Sequence, residues 1–132
     1  HTLEEKSKTY FNAPSGGPLV QHALVALLEM YHQGVFSLEK IVRKSSHNVA
    51  EMFDISNRGF IREGYAADLV LVDLNKPWTV SKENILYKCG WSPFEGQEFR
   101  SQVVTTFVNG NVVYHKGQLI EGRNGQRLIF SR

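Results

Sequence analysis

Cysteine is almost absent from these 132 residues, Cys89 being the only one. No disulfide framework can form within the chain, which suits a reducing compartment such as the cytoplasm. Cys89 itself reads first as a small, partly buried hydrophobe. Long apolar runs are missing too. No stretch approaches the roughly 20 residues of a membrane span, and the opening His1-Thr2-Leu3-Glu4-Glu5-Lys6 is neither a signal peptide nor a start at Met, so sequence is expected to precede it. Charge of one sign is nowhere concentrated. There are 15 Lys and Arg against 13 Asp and Glu, and the sparse C-terminal Arg123, Arg127 and Arg132 do not make a nucleic-acid footprint.

Motifs that carry chemistry are also scarce. The histidines are His1, His22, His32, His47 and His115, and no His-x-His or His-Glu-x-x-His pattern occurs among them. On a helix, His22 and His32 would lie about 80° apart around the axis and could not face one ion. His47 and Glu51 could share a helix face, which reads as a solvent-side pair worth a few tenths of a kcal/mol. There is no Gly-x-Ser-x-Gly elbow and no Gly-Lys-Ser/Thr phosphate loop. Cys89 has no partner nearby in sequence, which leaves open a triad assembled from distant positions. Asp68 and Asp73 are five apart on an expected strand, point to opposite faces, and read as strand-end caps.

What is present divides near residue 57. Before it lie loop and helix patterns; after it, strand and turn patterns. Ala13-Pro14-Ser15-Gly16-Gly17-Pro18 excludes regular structure. Pro18 is placed to open a helix carrying Leu19, Val20, Ala23, Leu24, Leu27, Leu28 and Tyr31 on one apolar face, with Gly34 as its stop. Such a helix start would offer free N–H groups to an anion beside Ser15 and Gly16, although a plain turn explains the same residues. Ser37 caps a second helix, and Ser45 or Ser46 a third. Beyond residue 57, Phe60-Ile61 between Gly59 and Gly64 predicts a short strand. Asp68 to Asp73 predicts a strand covered on both faces, and Pro77 to Val80 an edge strand. Residues 88–101 read as an irregular loop with aromatics. Two β-rich runs around Asn109-Gly110 predict a type I′ hairpin. Gly117 and Gly122-Arg123-Asn124-Gly125 close the chain in turns. Three amphipathic helices at one end need a surface to cover, which again points to further sequence upstream.

The residues resemble dihydroorotases of the amidohydrolase superfamily. His1-Thr2-Leu3-Glu4-Glu5-Lys6 is similar to the end of their Asp-His-Ala-Pro-His signature and the residues just after it, with His1 as the signature's last His. Ala13-Pro14-Ser15-Gly16-Gly17-Pro18 sits where the substrate loop lies. Ser45 to Phe53 resembles the helix before the β module, and Gly59 to Asp73 resembles the superfamily's Gly-x-Ile-x-x-Gly-x-x-Ala-Asp-Leu-Val segment. Ser92-Pro93-Phe94, Gly96 and Val108 to Tyr114 resemble its closing strands. The resemblance implies an α/β chain: residues 1–56 as the C-terminal edge of a (β/α)8 barrel and residues 57–132 as a small antiparallel β-sandwich module. It implies a zinc enzyme that interconverts N-carbamoyl-L-aspartate and dihydroorotate, a small-molecule substrate. His1 would hold the substrate carboxylate, and Ser15 and Gly16 would contact the ring. The catalytic Asp and all zinc ligands would lie upstream of His1, on the remainder of the same enzyme, with a homo-oligomer as a further expectation and neither nucleic acid nor membrane as a partner.

Gly17-Pro18-Leu19-Val20-Gln21-His22 departs from the Gly-rich, Glu-Thr-containing run of many members. That keeps other cyclic amidases open, namely hydantoinases (dihydropyrimidinases) and allantoinases. A non-catalytic dihydroorotase-like assembly subunit and a free-standing β module with a helical arm also stay open. Assayed alone with added zinc, the chain is expected to show no activity; measurable dihydroorotate hydrolysis would overturn this.

Overall fold

Local signals at the N-terminus are strong enough to fold a single turn. In a computed structural model, which describes residues 1–122 and 125–131, Thr2 opens α1 (Leu3–Lys6) with a reciprocal capping box. Thr2 Oγ1 accepts from Glu5 N at 3.2 Å and Glu5 Oε2 accepts from Thr2 N at 2.8 Å. The next helix, α2 (Ala23–His32), starts five residues later than Pro18 predicts. Tertiary bonds hold the intervening segment as a turn: Gln21 N donates to the Tyr87 hydroxyl at 2.7 Å, Gln21 Nε2 to Asn84 O at 2.8 Å, and Leu86 N to Gln21 Oε1 at 2.8 Å. These compete successfully with the weak preference of Leu19 and Val20 to continue a helix.

Ser37 caps α3 (Leu38–Val42) as expected, accepting from Lys40 N at 3.2 Å. Neither Ser45 nor Ser46 caps anything. A π-helical segment, Arg43–His47, runs from α3 straight into α4 (Asn48–Met52). Ser45 Oγ donates back to Ile41 O at 2.7 Å, and Ser46 Oγ crosses to Gly59 O at 3.0 Å. Phe60-Ile61 is not a strand. The Phe60 ring stacks flat on His47 at 4.4 Å, under the Arg62 guanidinium. Gly59, at φ +81°, presses so closely on Ala50 that a Cβ there would sit 2.4 Å from the Ala50 Cβ.

The second half is antiparallel throughout. Its strands are β1 (Leu69–Asp73), β2 (Trp78–Thr79), β3 (Glu98–Phe99), β4 (Gln102–Val108), β5 (Asn111–His115) and β6 (Gln118–Leu119). Four form a sheet in the order β1-β4-β5-β6, while β2 pairs with β3. Asn109 (φ 49°) and Gly110 (φ 80°) make the expected left-handed turn between β4 and β5. Lys116 and Gly117 repeat the device into β6, a strand outside the sequence expectation. The strand β3 likewise lies inside the segment read as an irregular loop.

Although buried on both faces by sequence expectation, β1 is an edge strand with Val70 44% and Leu71 54% exposed. Its apolar run reflects one partner strand, β4, and a half-open surface. Asp68 behaves as a strand-end cap: its carboxylate accepts from Arg58 Nη1 and from Asn109 N at 2.8 Å, and Arg58 Nη2 donates to Asn109 Oδ1 at 2.7 Å. Asp73 accepts from Asn75 N at 2.9 Å. Arg123, Asn124 and Arg132 lie outside the described residues, so the turn expected at 122–125 and two of the three C-terminal arginines are not described. Residues near the end return to the helical half, with Ser56 N donating to Ile129 O and Ser131 N to Asp54 O, both at 2.8 Å.

The buried cluster draws on both halves. Val25 of α2 packs with Val80 and Phe99, and Ala26, Trp78, Ile85, Phe94 and Val103 cover it. A carboxylate–guanidinium pair reinforces this seam: Arg100 donates from Nε and Nη2 to Glu29 Oε1 at 2.9 and 2.6 Å. Hydrogen bonding from Arg100 holds the Glu29 carboxyl below the usual carboxylate range. No helix among the described residues is long and apolar enough to cross a membrane.

Two glycines separate backbone strain from crowding. Gly64 has nearly the same φ as Gly59 but open space around it. Gly64→Ala should cost about 1–2 kcal/mol in chemical denaturation, the usual penalty of a left-handed Ala. Gly59→Ala should cost clearly more, because Ala50 must also move; equal losses would refute the close-approach argument.

Candidate functional site

His1 is carried at the start of α1, and the capping box that closes that turn also brings Glu5 Oε2 to 3.3 Å from His1 Nδ1. Across from it runs the irregular segment of two prolines and two glycines. The two lips border one cleft of about 280 Å³, lined by His1, Ser15 and Gly16 together with Lys6, Cys89 and Trp91. All three candidate substrate-binding residues thus face the same space. Gly16, at φ +83°, has nothing within 4 Å of where a Cβ would stand. Its main chain is therefore open to a ligand, as a residue chosen for close backbone approach should be.

The electrostatics differ from the sequence expectation. Because α2 starts at Ala23, its free N–H groups are not at Ser15–Gly17. Positive charge comes instead from Lys6, whose ammonium donates to Pro14 O. Trp91 Nε1 donates to His1 O at 3.0 Å, and Cys89 Sγ lies 3.8 Å from Trp91 O.

The histidines away from the cleft have other duties. His32 Nε2 bonds Ser101 Oγ at 2.8 Å, His115 Nδ1 bonds Thr105 Oγ1 at 2.9 Å, and His47 stacks on Phe60. His22 is fully buried among Trp78, Tyr87, Phe94 and Phe99, with ring centroids 5.8 to 6.3 Å away. Its Nδ1 pairs with Ser92 Oγ at 3.0 Å, while Nε2 meets no partner among the described residues. Burial pushes its pKa below the ordinary value. Among the described residues no three His, Cys, Asp or Glu side chains gather into a metal site.

Residues 11–113 match the Amidohydrolase family. The chain belongs to that family. Dihydroorotase from Pyrococcus horikoshii is 35% identical over 129 residues, covering 98% of the chain and 30% of the relative. Allantoinase from Desulfitobacterium hafniense is 37% identical over 102 residues, 77% of the chain and 23% of the relative. Among solved structures, the L-hydantoinase of Arthrobacter aurescens superposes with a TM-score of 0.79 at 28% identity, over 89% of this chain and 27% of its own. The chain thus spans under a third of the length of these amidohydrolase relatives. The dihydroorotase resemblance read from the sequence is matched by these relatives.

Sequence reasoning did not name Lys6, Cys89 or Trp91 as cleft residues. For Lys6, five positions past His1 at the end of α1, the sequence carried no signal. For Trp91 the signal was an aromatic set in a Gly- and Pro-containing loop, and its partner is 90 positions away.

The His22 environment makes a signed pH prediction. The folded pKa lies below 6.5, so the unfolded chain binds the extra proton. Stability is therefore complete above about pH 6.5 and is lost as pH falls toward the folded pKa. Melting temperatures between pH 7.5 and 5 should fall less in His22→Phe than in wild type; identical slopes would exclude His22 as the source.

Proposed function

We propose that the protein carrying this chain is a cyclic-amide hydrolase of the dihydroorotase type, interconverting N-carbamoyl-L-aspartate and dihydroorotate. The observation that carries the reading is the convergence of His1, Ser15 and Gly16 beside Lys6 on one cleft. An imidazole N–H of His1 donates to the substrate carboxylate. The main-chain groups of Ser15 and Gly16 reach the amide and carbonyl edge of the ring.

The reading extends to residues 1–56 as the last edge of a (β/α)8 barrel and 57–132 as part of a β-sandwich module, in a cytoplasmic enzyme able to self-associate. In this reading the metal and the catalytic Asp belong to residues outside the chain. A second reading, a hydantoinase-type amidase, is favoured by the likeness to the Arthrobacter hydantoinase.

A substrate panel on the full-length protein tests the choice. Dihydroorotate should be preferred to hydantoin, which lacks the carboxylate. His1→Ala should lower kcat/KM for dihydroorotate by about ten- to a hundredfold, the worth of a hydrogen bond to a charged group, and leave any hydantoin turnover nearly unchanged. Wild-type preference for hydantoin would transfer the assignment to the second reading.

A further inference from the structure

The N-terminal lip of the cleft is thinly packed, with only Glu5 and Lys6 of α1 half-buried. Helix α1 is four residues long and contains no buried residue, and an isolated turn of this length has no independent stability. The capping box fixes the shape of α1 but not where it sits. The facing lip, Ser15-Gly16-Gly17, is exposed and makes no close approach at either glycine. The separation of His1 from Ser15 and Gly16 must therefore be set by hydrogen bonds.

We infer that Trp91 and Lys6 are positioning residues for this cleft, acting as a two-point clamp on the main chain of its lips. The indole N–H of Trp91 holds the carbonyl of His1 at 3.0 Å, and the Lys6 ammonium holds the carbonyl of Pro14, the residue before Ser15. The footing is at Trp91. Trp91 precedes Ser92, which is buried and bonded to His22 Nδ1 at 3.0 Å beneath the aromatic cluster. Lys6 is the last residue of α1, so one side chain links the helix that carries His1 to the loop that carries Ser15 and Gly16. The footing of Trp91 thus passes through the lip at His1 and, by way of Lys6, to the lip at Pro14. A ligand spanning the cleft must touch both lips, so its affinity depends on their spacing.

The inference rests on the proposed cyclic-amide function, and the test separates the two. It uses the metal-loaded full-length protein and whichever ring the wild type accepts, dihydroorotate or hydantoin. Trp91→Phe keeps an aromatic ring and removes the N–H; Lys6→Met keeps the stem and removes the charge. Each should raise KM about tenfold while kcat stays within about twofold, and Lys6→Arg should restore most of the loss. A second readout is alkylation of Cys89 by iodoacetamide, followed by peptide mass spectrometry. The ring should slow it in wild type, and about ten times more ligand should be needed for the same protection in the two variants. Unchanged KM and unchanged protection in variants that melt like wild type would overturn the clamp. So would losses in kcat that track losses in melting temperature, because those mark a merely structural role. A wild type that turns over neither ring sinks the proposed function instead, and Cys89 protection by dihydroorotate then decides the clamp alone, absence of protection counting against it.

Discussion

Gln21 and His22 form the interaction on which the arrangement depends. The Gln21 side-chain amide serves the 84–86 segment as a strand partner would, accepting from Leu86 N and donating to Asn84 O. The next residue drives an imidazole into the aromatic cluster. Together they delay the start of α2 and keep 13–18 outside regular structure. They also bring 84–92 alongside the N-terminal segment.

The seam also explains why so small a core suffices to orient the two halves, yet leaves much apolar surface bare. Buried hydrophobics are few, whereas Tyr10, Phe11 and Val20 are each at least 90% exposed. Surface of this kind is costly in water at roughly 25 cal/mol per Å². It is carried by a chain that spans under a third of the length of the dihydroorotase it resembles.

Legibility from sequence followed the range of the interaction. The Asn109-Gly110 hairpin and the Ser37 cap were readable because each is decided within four residues by φ requirements or one side-chain acceptor. The start of α2 was not, since Tyr87 and Asn84 override Pro18 from more than 60 positions away. The supposed strand at Phe60-Ile61 failed for a similar reason: stacking on His47 uses the aromatic that a strand pattern counts. In the cleft, His1, Ser15 and Gly16 were nameable through family resemblance. Lys6 and Trp91 act on main-chain carbonyls, which carry no residue identity to recognise.

One irregularity has a bearing on how this chain tolerates insertion and deletion. The π segment at Arg43–His47 widens one turn, with Asn48 N reaching back to Arg43 O. Widening a turn by one residue rotates everything beyond it by roughly 100° relative to a plain α-helix. That offset lets Ile41 turn inward before the segment while Ala50 meets Gly59 after it. The segment works as a phase shifter, joining two stretches of helix whose inward faces would otherwise be out of step, so loss of a single residue there would misalign both at once.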